Sequence, residues 1–143
     1  MRDTLAAIAV LVVLVPVSGA LAPAYPFGAV AVALSGDVSQ DGVAIGVAAD
    51  KPTQDEANDV ALQECNKRRT ADKVKVQCKL VGTFNNQCAA DALDPEPGTP
   101  GFGWAIGADK SSTEGQALAN CKATSSSSRQ PFCRIGTSLC DGK

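Results

Sequence analysis

The sequence predicts one α+β domain: two β-β-α-β repeats that build antiparallel sheet, carry two packed helices and are stapled by disulfides. Three observations predict this. The same signals recur in the same order in both halves of the chain. The apolar stretches between them are short, rich in valine and alanine, and punctuated by glycine and proline. Six cysteines are present, an even number, and all lie beyond residue 64.

The 143 residues carry a formal net charge of -2 and no histidine. A nearly neutral chain sets up no field that would draw nucleic acid or an anionic membrane. Without histidine the commonest general base and the commonest metal ligand are both missing. The apolar share of 45% leans on the leading run Leu5–Val17 and on small residues. Large side chains are few: Tyr25, Phe27, Phe84, Phe102, Trp104 and Phe132. A core this thin gains most from covalent cross-links. No C-x-x-C pair occurs, so the cysteines read as a disulfide framework made in an oxidising compartment, with no metal or other cofactor implied.

Residues 1–24 read as a secretory signal peptide. Arg2 opens it, Leu5–Val17 is too short to span a bilayer, and Ala22-Pro23-Ala24 offers a cleavage site that leaves Tyr25 leading the mature chain. Ser18-Gly19-Ala20 is an alternative site, and an uncleaved anchor is the alternative fate. The domain proper is 25–143, with repeat one at 27–84 and repeat two at 87–140.

Phe27–Leu34 predicts a buried strand, Ser35-Gly36-Asp37 ends it, and Val43–Val47 predicts a hairpin partner. Pro52 then stops the strand, and Thr53-Gln54-Asp55-Glu56 is a capping box. Ala57, Val60, Ala61 and Cys65 fall on one face of a helix ending at Cys65. Asp55, Glu56 and Asp59 lie toward its start, and Lys67, Arg68 and Arg69 lie at or past its end, as the dipole favours. Asn66–Lys73 reads as a basic, solvated loop. Val74–Val81 alternates as a half-buried strand, with the valines, Cys78 and Leu80 on one face.

After the turn Asn85-Asn86, Cys88-Ala89-Ala90 starts the next strand. Asp94–Gly101 holds three prolines and predicts irregular chain. Phe102–Gly107 predicts another strand, Ser111-Ser112-Thr113-Glu114 a second capping box, and Ala117–Cys121 a second helix about a turn shorter. Ser125–Ser128 is a loop, and Phe132-Cys133-Arg134-Ile135 answers Gln77-Cys78-Lys79-Leu80.

The halves align by string: Ala44-Ile45-Gly46 with Ala105-Ile106-Gly107, Ala49-Asp50-Lys51 with Ala108-Asp109-Lys110, then the capping boxes and the Ala-Leu-x-x-Cys helix ends. Equivalent positions make equivalent contacts. That selects Cys65–Cys78 and Cys121–Cys133, and leaves Cys88 to pair with Cys140.

At these residues the chain resembles a known family. Phe27-Gly28-Ala29-Val30-Ala31, the Ala-Leu-x-x-Cys helix, Cys78-Lys79-Leu80-Val81, Asn86-Gln87-Cys88-Ala89-Ala90 and Gly103-Trp104-Ala105 look like the bacterial exported domain of unknown function 4189. The likeness runs from Tyr25 to Cys140. It implies a secreted or envelope protein, and it brings no agreed activity and no catalytic residues to transfer. The proline-rich stretch 94–101 and the serine loop 125–128 depart from the family's pattern.

No serine sits in a G-x-S-x-G elbow, and six oxidised cysteines leave no thiol nucleophile. The chain therefore reads as a non-catalytic interaction module, secreted or in the bacterial envelope, whose partner is an unknown protein or envelope component. No nucleic acid is implied, nor any stable membrane span once the signal is cut. The expected contact residues are Lys67, Arg68, Arg69, Phe102 and Trp104, helped by loops 35–42, 66–73 and 94–101. The alternative is a hydrolase of cell-wall or carbohydrate polymer, with Asp50 and Asp109, or Asp91 with one of them, converging in a cleft.

Overall fold

The computed structural model describes residues 26–142, so the stretch read as a signal peptide, with Tyr25, lies outside the described residues. The elements are β1 (Phe27–Leu34), α1 (Val38–Asp41), β2 (Val43–Lys51), α2 (Gln54–Ala71), β3 (Lys79–Asn85), β4 (Cys88–Leu93), β5 (Phe102–Gly107), α3 (Lys110–Thr124) and β6 (Arg134–Cys140). They form two three-stranded antiparallel sheets with matching orders, β2-β1-β3 and β5-β4-β6. Each half is β-β-α-β, as expected. The predicted sheet is thus two sheets, one per half.

Side-chain size sorts the layers. On β1 and β2 the small residues Ala29, Ala31, Ala33, Ala44 and Ala48 meet Ala57, Ala61 and Cys65 of α2. The larger residues on the opposite faces, Val30, Val32, Ile45, Val47 and Phe84, pack with Ala89 and Phe102 of the second sheet. Ala90, Ala92 and Ala105 then meet Ala117 and Cys121 of α3. The result is a four-layer stack: helix, sheet, sheet, helix. Large apolar groups fill the sheet–sheet layer, where each buried valine or phenylalanine contributes about 1.5–3 kcal/mol.

Small residues under the helices let them lie close. A Cβ at Gly46 would overlap the Ala61 carbonyl and Cys65 amide, and one at Gly103 would overlap the Cys121 amide and Ala117 carbonyl. Gly46 pairs with Ala31, and Gly103 with Ala92. Gly103 is therefore the counterpart of Gly46, which corrects the string match to Gly107 by four residues. The match between Asp50 and Asp109 fails likewise. Thr53 caps α2 and Asp109 caps α3, each accepting the amide three residues on, so Asp109 corresponds to Thr53. The second cap falls two residues before the predicted Ser111, because Thr113 is buried and its hydroxyl donates back to the Asp109 carbonyl.

Two further boundaries move. α2 runs on to Ala71, two turns past Cys65, so most of the expected loop 66–73 is helix. This overhang lies beyond the sheet and is solvated nearly all round, so its polar composition mimics a loop. Lys73, at φ 56, turns the chain out of it. The following strand begins at Lys79, paired with Val32, because β1 ends at Leu34 and offers almost nothing further to pair with. Val74–Cys78 is instead unpaired chain that tucks Val74 and Val76 against the α2 core. Within loop 35–42, Asp37 caps the one-turn α1.

All three disulfides form as expected: Cys65–Cys78, Cys121–Cys133 and Cys88–Cys140. The first two tie each helix to the chain entering the last strand of its half. Cys88 and Cys140 face each other across β4 and β6, at the register that Phe27 and Asn85 hold in the first sheet.

Candidate functional site

The sheet–sheet layer is open at one end. There β1 finishes on Val32 and Leu34, the segment before β3 supplies Val76 and Gln77, β3 supplies Lys79 and Val81, and Trp104 reaches in from β5. The groove between them has a volume of about 260 Å³, near the small end for ligand clefts. Its lining is mostly hydrocarbon, with one cation. Leu34 and Val81, which line it, are 47% and 43% exposed, so its apolar lining continues to the surface. Val81 is left without a partner by the shift of register between Val30 and Ala31, a bulge that re-aims its side chain.

The same bulge in the second sheet holds a carboxylate. Asp91 occupies the position of Val30 and is fully buried; its Oδ1 accepts from the Thr137 amide at 2.9 Å. A Cβ at Gly136 would overlap Oδ2, which has no hydrogen-bond partner among the described residues. Burial pushes the Asp91 pKa up, against the lowering effects of the Thr137 bonds and the Arg68 charge. Arg68, from the overhang of α2, donates to the Thr137 hydroxyl at 3.1 Å and so links the two halves.

The predicted contact residues separate. Lys67 is exposed on α2, Arg68 is held by Thr137, and Arg69 donates to Asn66 Oδ1 at 3.2 Å. Phe102 is buried between the sheets, whereas Trp104 is half-buried and lines the groove. The three acids of the hydrolase alternative all have structural bonds. Asp50 accepts the Gly142 amide at 2.8 Å, Asp109 caps α3, and Asp91 lies inside the stack.

Loop 94–101 is fixed as well. Asp94 takes Arg129 in a two-point ion pair at 2.6 and 2.7 Å, Arg129 also reaches Glu96, and its guanidinium lies 4.2 Å over the Phe132 ring. The Arg129 hydrogen bonds hold the Asp94 pKa down, against its own burial. The proline-rich stretch is thus braced by Arg129, the residue that follows the serine loop.

A family model described as a domain of unknown function, DUF4189, matches residues 27–140, from the first strand to the last disulfide. The chain belongs to the DUF4189 family. No curated protein and no solved structure matches it. The DUF4189 match spans both half-domains, so the family's unit is the whole four-layer stack.

The sequence singles out Trp104 but not the residues that line the groove with it, Val32, Leu34, Val76, Gln77, Lys79 and Val81. The signal lies in the alternation of 74–81, which by itself reads as a half-buried strand. Arg129 and Asp94 carried no motif, and only the fold brings them together.

Proposed function

We propose that this small disulfide-rich protein is an exported, non-catalytic interaction module that meets its partner through the apolar groove beside Trp104. The observation that carries this reading is a contrast. The acids with catalytic potential are engaged in capping, tail-binding or buried bonds, while a hydrocarbon-lined groove opens to solvent. Apolar surface of this kind, rimmed by polar groups, marks interaction sites on soluble domains. Export rests on the Leu5–Val17 run and on cysteines that are all paired, a state that persists in oxidising compartments.

Two measurements test it. The full chain expressed in a bacterial host should leave the cytoplasm and lose residues 1–24, with Tyr25 as its first residue by intact mass. An unprocessed, cytoplasmic and reduced product would remove the export reading. A photo-crosslinking residue at Val81 should then give adducts with envelope or extracellular protein that Trp104→Ala abolishes, with none from the same probe at Gln116 on α3. Equal labelling at both positions, or none at Val81, would remove the groove as the contact.

A further inference from the structure

We infer that the groove takes an acidic chain segment of a protein partner, anchored by one aliphatic or aromatic side chain. This rests on the reading of the groove as a docking site. Three features specify the occupant. The first is charge: from Lys73 to Ala90 the chain carries Lys73, Lys75 and Lys79 and no Asp or Glu. Lys75 is paired with Asp41 at 3.2 Å. Lys79 lines the groove and has no carboxylate within ion-pair distance among the described residues. A cation beside hydrocarbon is complemented by an anionic group carried next to an apolar one.

The second feature is extent. About 260 Å³ seats one large side chain, yet Leu34 and Val81 at its edge are 47% and 43% exposed and carry apolar surface outward from it. A polypeptide anchoring one residue and laying its neighbours on the rim covers both; a small ligand covers the groove alone. The third is the edge itself. β3 is an edge strand, but Lys79 and the bulge at Val81 blunt it against strand addition. Recognition therefore runs through side chains.

Trp104 is the only tryptophan in the chain, so its emission reports on the groove directly. The probes are three ten-residue peptides without tryptophan or tyrosine, each with a central Leu-Phe flanked by four acidic, four glutamine or four lysine residues. The acidic peptide should shift Trp104 emission saturably, bind roughly 5-fold or more tightly than the glutamine peptide, and lose that advantage in 0.5 M salt. Lys79→Glu, an exposed change checked for unaltered Tm, should reverse the order of the acidic and lysine peptides. Val81→Lys should weaken all three.

Equal affinity for the acidic and glutamine peptides overturns the inferred partner chemistry and leaves the docking reading standing. The same holds if no peptide binds while Val81 cross-links persist, or if anionic vesicles shift Trp104 where the peptides do not. Loss of the Val81 cross-links as well removes both.

Discussion

At the scale of single residues, two aspartates titrate in opposite senses, and each gives a stability prediction. Asp94 is held below its ordinary pKa by Arg129, so its contribution is present above the unfolded value of about 4 and is lost as pH falls through the folded one. Arg129→Met should lower Tm near neutral pH, and the gap to the parent should close on acidification; a gap that stays constant down to pH 2 would refute this. Asp91 is raised by burial. Its contribution is full below about pH 4 and falls away as pH rises through the folded value. Asp91→Asn should therefore gain on the parent in thermal melts as pH rises above about 4, and the gain should level off once the folded value is passed. A difference independent of pH would mean that the Arg68 charge already offsets the cost of burying the anion.

At the scale of elements, helix-to-sheet distance is set by what lacks a side chain. Gly46 and Gly103 sit under equivalent turns of α2 and α3. Alanine at either must push backbone apart, with an overpacking cost of ~1–3 kcal/mol. Thermal melts should show similar losses for Gly46→Ala and Gly103→Ala, whereas Gly115→Ala, which meets nothing within 4 Å on the exposed side of α3, should be neutral or mildly stabilising. Very unequal losses at Gly46 and Gly103 would contradict their equivalence.

At the scale of the molecule, the halves share the apolar layer between the sheets, the Arg68–Thr137 bond and the Asp50–Gly142 bond. No disulfide crosses from one half to the other; Cys88–Cys140 closes the second sheet on itself. It spans 52 residues, against 13 and 12 for the other two. In the chain-entropy account that separation is worth ~4 kcal/mol, compared with ~3 kcal/mol for each short loop. Replacing Cys88 and Cys140 together by alanine should accordingly lower Tm more than replacing either other pair. The opposite ranking would show that local ties at the helix ends outweigh closure of the sheet.

The amino-acid sequence by itself determined the β-β-α-β order, all three cysteine pairings, the Thr53 cap and the irregular 94–101 stretch. These depend on short-range signals or on equivalence between halves, and both are written in spacing. Tertiary structure alone decided where α2 stops, which Ala-Ile-Gly strings are not equivalent, that Asp91 stands where the first half has a core valine, and that Trp104 and Lys79 line one groove. The reason is physical. An overhanging polar helix and a loop present the same solvated composition, and alternation in a strand fixes two faces without saying what covers either. Only the packing of one sheet on the other leaves Val32, Val81 and Trp104 around an opening.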